Sequence, residues 1–285
     1  MSHPEIVLVT AADLPAQRDT ELLVAELARE GVQAVVLPWD DPFDWTEVPL
    51  VVLRTPWDYY HRLDEFLAWT AHIDRVTRLH NPAAVVTWNS HKGYLLDLQA
   101  RGVPILPTQL LQSTDDPAVA LRAINSATGE LVVKPAVGVG AIGAKRGRGD
   151  DPALLQHAEA LLAAGDVLVQ PFAPEVVHGE VSLIYFEDVF SHAVRKRPAA
   201  GEFRVQDDYG GTVHPYEPTQ AEHEVAVAAL PVTQIPVTYA RVDLVHFEGS
   251  PAVMELEVIE PELFLRHAPG SAARFAQALK RALRE

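Results

Sequence analysis

The pattern of apolar and polar positions predicts that the first part of the chain forms a parallel sheet. Apolar runs at residues 6–9, 32–37 and 50–53 are typical of buried strands. Residues 19–30, between the first two runs, carry apolar side chains at helical spacing. Strand, helix and strand in this order indicate a βαβ unit. Because ligands gather at the carboxyl ends of such strands, Arg54, after the third run, is a candidate contact for a small zwitterion.

The last third of the chain has the pattern of antiparallel strands. Residues 180–186 and 189–195 are predicted to form one hairpin, and residues 238–246 and 251–258 a second. Residues 271–284 are predicted to form a terminal helix. This part therefore differs in architecture from the parallel sheet before it.

Composition removes several classes of function. The chain has 285 residues, with 23 Lys and Arg against 39 Asp and Glu, for a net charge of −16. A surface that acidic repels phosphate backbones, so we expect no nucleic-acid partner. The absence of cysteine excludes disulfides, thiolate metal sites and a catalytic thiol. No apolar run approaches the roughly 18 residues of a membrane helix, and no signal peptide is evident, so we expect a cytoplasmic protein without a membrane partner.

A glycine-rich segment at residues 138–143 follows a predicted strand that ends at Lys134. The segment matches G-x-G-x-x-G, but a dinucleotide loop should open a helix after the first strand of a βαβ unit. Here Gly147 and Gly149 follow, which favours a hairpin with a mobile tip. Such a loop can fold over phosphates as a lid, with Lys134 beneath it. An ordinary mobile hairpin is the simpler alternative.

Three acidic residues near the end of the chain predict a magnesium site. Glu255 and Glu257 are two apart in a predicted strand, so their side chains share one face. Adjacent carboxylates repel each other unless a cation joins them. Asp243, on the strand expected to pair with this one, supplies a third oxygen donor. Oxygen ligands are typical of magnesium, although a solvated strand face is the alternative.

Basic residues precede the acidic ones. The cluster comprises Arg195, Lys196, Arg197 and Arg204. In an acidic chain, local cations beside predicted magnesium ligands indicate a polyphosphate ligand. The alternative is salt bridging to nearby acids, especially for Arg197.

These motifs, in this order, resemble the ATP-grasp superfamily over nearly the whole chain. The resemblance rests on the following segments: Lys92 in a predicted helix (residues 89–98), Val132-Val133-Lys134-Pro135 with the glycine-rich loop, Gln170-Pro171-Phe172, Gly179-Glu180, Gly201-Glu202-Phe203-Arg204, Arg241-Val242-Asp243, Glu255-Leu256-Glu257 and Glu260-Pro261. Each motif is common alone, and their order makes the set specific.

The resemblance implies a fold of the α/β and α+β classes in three parts. Residues 1–82 would form an N-terminal α/β domain with a parallel sheet. Residues 83–170 would hold the small subdomain with the glycine-rich ATP lid. Residues 171–285 would form the antiparallel α+β subdomain that carries the magnesium ligands.

The resemblance also implies roles for individual residues. ATP would be bound by Lys92, Lys134, the loop glycines Gly138, Gly140 and Gly143, the adenine contacts Gln170, Phe172 and Ala173, and the ribose contact Glu180. Lys196 and Arg204 would face the γ-phosphate and act with Lys134 in catalysis. Asp243, Glu255 and Glu257 would bind Mg²⁺. Many relatives have Asn where this chain has Glu257, a change that adds charge to the site.

Within the superfamily, the chain looks most like the glutathione-synthetase-like branch, and especially the O-ureido-serine cyclo-ligase group of cycloserine biosynthesis. That likeness implies an ATP- and Mg-dependent ligase that activates a carboxylate as an acylphosphate and releases ADP and phosphate. The substrate would resemble an amino acid, and ring closure would be intramolecular. Candidate substrate contacts by position are Arg54, Trp57, Asp58 and Glu260. Dimers are common in the superfamily, so we expect a homodimer.

Two other interpretations remain open. A nicotinamide-dependent oxidoreductase would use the loop at residues 138–143 and bind NAD(H) without magnesium. A catalytically inactive nucleotide-binding protein would keep the fold but lose turnover. Retention of Lys92, Lys134, Arg204, Asp243 and Glu255 argues against the second.

Overall fold

A computed structural model describes residues 3–124, 128–233 and 235–284. It contains three four- or five-stranded sheets that face a common cleft. Among the described residues, no helix is long and apolar enough to cross a membrane.

The first sheet is parallel and has the strand order β2-β1-β3-β4. Its elements are β1 (Ile6–Thr10), α1 (Arg18–Arg29), β2 (Ala34–Pro38), β3 (Leu50–Thr55), α2 (Leu63–Val76) and β4 (Arg78–His80). The predicted βαβ unit is confirmed. The central strands β1 and β3 are continuous apolar runs because both of their faces are buried, whereas the edge strand β2 exposes Val35 and Val36.

Two helical linkers lead into the second sheet. They are α3 (Ala83–Asn89) and α4 (Tyr94–Ala100). The single helix predicted at residues 89–98 is therefore wrong, because Lys92 lies in the turn between two helices. Its backbone N–H donates to the carbonyl of Ala136 at 2.7 Å, which replaces the hydrogen bond that a continuous helix would need.

The second sheet is antiparallel, with the order β5-β8-β6-β7. Its elements are β5 (Gln109–Leu111), α5 (Pro117–Ala123), β6 (Glu130–Pro135), β7 (Lys145–Arg148), α6 (Pro152–Leu162) and β8 (Val167–Pro171). The glycine-rich segment connects β6 and β7, so the predicted hairpin is confirmed. No helix begins there, which is not the geometry of a dinucleotide loop.

The third sheet is also antiparallel, with the order β11-β10-β9-β12-β13. Its elements are β9 (Glu180–Phe186), β10 (Val189–Arg197), β11 (Thr212–Tyr216), α7 (Gln220–Ala229), β12 (Tyr239–Phe247) and β13 (Ser250–Glu257), and α8 (Ser271–Ala282) follows. Both predicted hairpins and the terminal helix are confirmed. One face of this sheet packs its apolar residues against α7. On the other face, Ile184 and Tyr239 pack in the cluster that contains α8, and the charged residues face the cleft.

The first and third sheets are joined through buried polar side chains. Tyr239 on β12 places its hydroxyl 2.8 Å from the carbonyl oxygen of Leu53 and 2.9 Å from that of Ile259. Asn81, fully buried, donates to the carbonyls of Tyr239 and Val258. The terminal helix α8 also packs on the first sheet through Phe275. These contacts fix the wall of the cleft between the two sheets.

We predict that Tyr239→Phe lowers the free energy of unfolding by about 1 to 3 kcal/mol, because a buried carbonyl oxygen loses its donor. Denaturant unfolding would measure the change. Tyr185→Phe is a matched control, since the buried Tyr185 hydroxyl has no hydrogen-bond partner among the described residues. Equal losses in the two variants would contradict the joining role of Tyr239.

Candidate active site

A single cleft of about 610 Å³ is lined by residues from all three sheets. The third sheet forms its floor, and the loop between β6 and β7 lies at its edge. Most of the residues predicted for the site line this cleft: Arg54, Trp57, Lys92, Lys134, Gly138, Gly140, Gln170, Phe172, Ala173, Glu180, Lys196, Arg204, Asp243, Glu255, Glu257 and Glu260. Gly143 and Asp58 do not.

The strand pairing of β12 with β13 builds the charged centre of the floor. Asp243 lies opposite Glu255, and Arg241 lies opposite Glu257. Directly opposed residues and residues two apart share a face, so all four side chains project into the cleft. The Arg241 guanidinium donates to Asp243 at 2.9 Å and also to Glu257. A cation therefore separates carboxylates that would otherwise repel each other.

The neighbouring strands β9 and β10 extend the same polar face. Glu180 lies opposite Lys196, and Ser182 lies opposite Asp243. The Lys196 ammonium is buried between two carboxylates, 2.5 Å from Glu180 and 3.2 Å from Asp243. The Ser182 hydroxyl donates to Asp243 at 2.5 Å. The Asp243 carboxylate thus accepts hydrogen bonds from three different side chains.

Two lysines meet the floor from the other parts of the fold. The Nζ of Lys134, on β6, lies 3.1 Å from the Glu255 carboxylate, and the Nζ of Lys92 lies 3.3 Å from it. Lys134 lies directly before Pro135, which begins the turn into the glycine-rich loop. The two lysines therefore converge on one carboxylate from different elements.

Burial and charge move the pKa values of the floor carboxylates in opposite directions. Burial alone would raise the pKa of Glu255, but Lys92 and Lys134 hold it well below its usual range. Burial, together with the charges of Asp243 and Glu255, raises the pKa of Glu257 to about 7. Burial, with the charge of Glu257, raises the pKa of Glu260 to about 8. The floor thus contains carboxyl groups that lack enough positive charge to stay fully ionised at neutral pH.

The carboxylates of Asp243, Glu255 and Glu257 could hold a metal ion together. One oxygen atom from each lies within 4.8 Å of the others. An all-oxygen donor set suits magnesium better than zinc or copper. The raised pKa of Glu257 supports this fit, because a bound cation would supply the charge that its carboxylate lacks.

The loop between β6 and β7 covers one edge of the cleft. Gly138 and Gly140 line the cleft, and Val139 between them packs against the apolar cluster of the first sheet. Gly140 has a φ of +61°, which favours glycine. Gly143 lies at the base of the loop, where its carbonyl accepts a hydrogen bond from His157, and it does not line the cleft.

The end of β8 forms an apolar pocket suited to a flat ring. Phe172 and Ala173 are buried there, and Gln170 donates to the hydroxyl of Thr108 at 2.8 Å. The guanidinium of Arg146 stacks on the Phe172 ring at 3.6 Å from its centre. Arg146 is held by two hydrogen bonds to Glu130. The sequence of β7 does not indicate this stacking, because Arg146 and Phe172 come from different parts of the chain.

The loop after β10 presents Arg204 to the cleft. Its guanidinium donates to Glu202 at 2.6 and 3.1 Å and stacks on the Tyr209 ring at 3.6 Å. This pairing lowers the pKa of Glu202 to about 2. Arg204 is therefore held in place and lines the same cleft as the buried Lys196.

The carboxyl end of β3 forms the other end of the cleft. The Trp57 indole donates to the carbonyl of Glu260 at 3.0 Å, and Tyr59 is buried beside them. Asp58, a predicted substrate contact, does not line the cleft, and its carboxylate accepts hydrogen bonds from Trp39 and Arg62.

Arg241 is the main residue of the cleft that was not predicted as a site residue. It belongs to the Arg241-Val242-Asp243 motif, and its position two residues before Asp243 places both side chains on one face. This two-residue spacing is the sequence pattern that could have identified Arg241 as a site residue. Its partner, Glu257, becomes evident only from the strand register.

Comparison with known proteins gives concordant results. The N-terminal domain of D-cycloserine synthetase DcsG matches residues 6–81, and the ATP-grasp domain of prokaryotic glutathione synthetase matches residues 105–245. The cycloserine biosynthesis protein DcsG of Streptomyces lavendulae is 36% identical, over 98% of this chain and 99% of that protein.

Solved structures agree in fold. The crystal structure of D-cycloserine synthetase DcsG matches with a TM-score of 0.89 and 35% identity, over 98% of this chain and 99% of that one. A D-alanine–D-alanine ligase from Bacillus anthracis matches with a TM-score of 0.72 at 16% identity, over 99% of each chain. The second likeness concerns the fold alone.

We predict that Glu260 makes the ligand-free protein less stable as pH rises. Its folded pKa of about 8 exceeds its ordinary value of 4.5, so the folded state holds a proton that the unfolded state releases. The stabilising effect of that proton is complete below pH 4.5 and disappears as pH rises through about 8. Denaturant unfolding at pH 5 and pH 9 should therefore show a smaller loss in Glu260→Gln than in the unmodified protein. Glu248→Gln, a control at an exposed residue, should lose as much stability between pH 5 and pH 9 as the unmodified protein. An equally large loss in Glu260→Gln would refute the prediction.

Proposed function

Since the chain belongs to the ATP-grasp ligases and groups with the cycloserine biosynthesis protein DcsG, we propose that it closes a ring within an amino-acid-like substrate. The enzyme is an ATP-dependent ligase that joins a carboxylate to an amine. The proposal concerns the substrate, the intramolecular course of the reaction and the residues that carry it.

The observation that carries the proposal is the buried charge cluster on the cleft floor. In it, Lys92, Lys134, Lys196 and Arg241 are paired with Glu180, Asp243, Glu255 and Glu257. Buried ion pairs contribute little to stability, because desolvation offsets their attraction. Magnesium with a polyphosphate supplies both a cation for the carboxylates and oxygen atoms for the cations. The cluster is therefore complementary to Mg·ATP.

We assign the following groups to the nucleotide. Lys92, Lys134 and Lys196 bind phosphate oxygens, together with Arg204. The pocket of Gln170, Phe172 and Ala173 takes adenine, and Glu180 takes the ribose. Asp243, Glu255 and Glu257 hold magnesium, which neutralises phosphate charge when it is bound. The glycine-rich loop at residues 138–143 covers the phosphates.

The chain's own groups would support two steps. A carboxylate oxygen of the substrate attacks the γ-phosphorus of ATP, and the bond to ADP breaks, which yields an acylphosphate and ADP. A substrate nitrogen then attacks the acyl carbon, phosphate leaves and the nitrogen loses a proton. Lysine and arginine side chains offset the charge that moves between oxygens in the first step. The loop excludes water, which would otherwise hydrolyse the acylphosphate.

The likeness to a cycloserine enzyme supports O-ureidoserine as the substrate. The cleft has an acidic and aromatic end, formed by Glu260, Trp57 and Tyr59, which suits a substrate ammonium group. A compact cleft of about 610 Å³ accommodates a nucleotide and one small amino acid. These features suit a small amino acid as the substrate.

The direct test is ADP release from ATP and magnesium with O-ureidoserine as the only other substrate. We expect one ADP for each cycloserine formed, with no added amine. Turnover that requires a second amine would contradict the intramolecular course. Turnover with a different amino acid alone would show that this amino acid, and not O-ureidoserine, is the substrate.

We predict that Lys134→Ala lowers the rate of ADP release by about a hundredfold or more, because a phosphate-binding cation is lost from a buried site. Circular dichroism would check that the variant is folded. Lys145→Ala is the matched control, since Lys145 bonds the carbonyl of Ala153 outside the cleft and should leave the rate unchanged. Unmodified turnover in a folded Lys134→Ala protein would refute the assignment.

A further inference from the structure

Arg54 is a buried cation for which the described residues supply no ion-pair partner. The side chain is only 2% exposed. Its Nη2 donates to the carbonyl of Pro261 at 3.2 Å, whereas Nε and Nη1 have no hydrogen-bond partner. The guanidinium lies 5.6 Å and 5.7 Å from the ring centres of Tyr239 and Phe275. An arginine stays charged even when buried, so its unpaired N–H groups are costly in the ligand-free protein.

The first turn of α1 meets the same end of the cleft. Gln17, at the N-cap position, provides no side-chain cap for the helix. The Asp19 carboxylate in this turn is already occupied, because it accepts hydrogen bonds from the backbone of Leu265 and Arg266. Thr20 is 5% exposed, and its hydroxyl has no partner. The positive end of an uncapped helix thus lies beside a second unpaired polar side chain.

These donors lie next to the charged floor of the cleft. Arg54 donates to the carbonyl of Pro261, and Arg241 donates to the carbonyl of Glu262, the next residue. Arg241 also bonds Asp243, a proposed magnesium ligand. Arg54 and Thr20 therefore line the same cleft as the groups proposed for phosphoryl transfer.

We propose that Arg54, Thr20 and the uncapped start of α1 form the pocket for the substrate carboxylate. This inference rests on the proposed function, and it names the group that the pocket recognises. A carboxylate supplies the missing counter-charge, and its two oxygens can accept hydrogen bonds from the unpaired N–H and O–H groups. One oxygen can be held while the other remains free to attack. Because one long hydrogen bond to Pro261 holds the guanidinium, Arg54 can turn its unpaired N–H groups toward the ligand.

The test compares Arg54→Met and Thr20→Val with the unmodified enzyme in three measurements. We expect the KM for O-ureidoserine to rise by about tenfold or more in Arg54→Met, and less in Thr20→Val, because charge-assisted hydrogen bonds are lost. The Kd for Mg·ATP should be unchanged in both. The melting temperature without ligand should stay the same or rise, because the substitutions remove buried N–H and O–H groups that have no partner, at the cost in Arg54→Met of one long hydrogen bond to Pro261. A lower melting temperature with weaker ATP binding would show a structural role and overturn the proposal.

A change in the ligand identifies the group that is recognised. The carboxamide of O-ureidoserine lacks the charge, so its binding should be equally weak in the unmodified protein and in Arg54→Met. A loss of carboxamide binding as large as the loss for the acid would overturn the proposal.

Sodium acetate separates the pocket from the identity of the substrate. Should the enzyme fail to bind O-ureidoserine, the proposed substrate is wrong, and the response to acetate then decides the inference. A rise in melting temperature with acetate that Arg54→Met abolishes supports the carboxylate pocket. An equal response in both proteins overturns it.

Discussion

Strand pairing in the third sheet places four carboxylates and the cations that neutralise them on one buried face. Asp243 opposite Glu255 and Arg241 opposite Glu257 are the centre of this arrangement, and Glu180 and Lys196 extend it. The opposite face of the same strands is apolar and packs against α7. Since a shift of one residue would exchange the two faces, the register that builds the core also builds the charged floor. The distance of each other cleft residue from this charged floor determines whether it can contact a ligand that is bound there.

The charged groups in the cleft fall into two kinds. On the floor, each cation has a carboxylate partner in the ligand-free protein, although the carboxyl groups of Glu257 and Glu260 still lack enough positive charge to stay fully ionised. Arg54, by contrast, has no such partner among the described residues, and neither has the Thr20 hydroxyl beside it. Paired groups can exchange partners with Mg·ATP at low cost, whereas unpaired donors reduce stability until a ligand arrives. The two kinds of group thus suit the two ligands of a carboxylate–amine ligase.

Much of the fold could be predicted because the sequence patterns that indicate it lie within single strands or in two strands that pair. The alternation around Glu255 and Glu257 placed both carboxylates on one face, and Asp243 followed from the pairing of two predicted strands. The continuous apolar runs of the first sheet identified its strands for the same reason. The turn at Lys92 could not be predicted, because the hydrogen bond from its backbone N–H to the carbonyl of Ala136 is made with a distant element.

The features that could not be predicted depend on contacts between distant segments. Asp58 and Trp57 are neighbours in sequence, but only the packing of Trp39 against Arg62 shows that Asp58 leaves the cleft. The isolation of Arg54 depends on α1, the Pro261 segment and α8, which meet only in the folded chain.

Melting temperatures measured with different ligands test whether the charged floor of the cleft binds Mg·ATP. A ligand at a hundredfold excess over its Kd stabilises the folded state by about 2.7 kcal/mol. We expect a clear rise in melting temperature with ATP and magnesium together and little change with ATP and a chelator. A rise with NAD(H) alone would show that the cleft does not bind Mg·ATP.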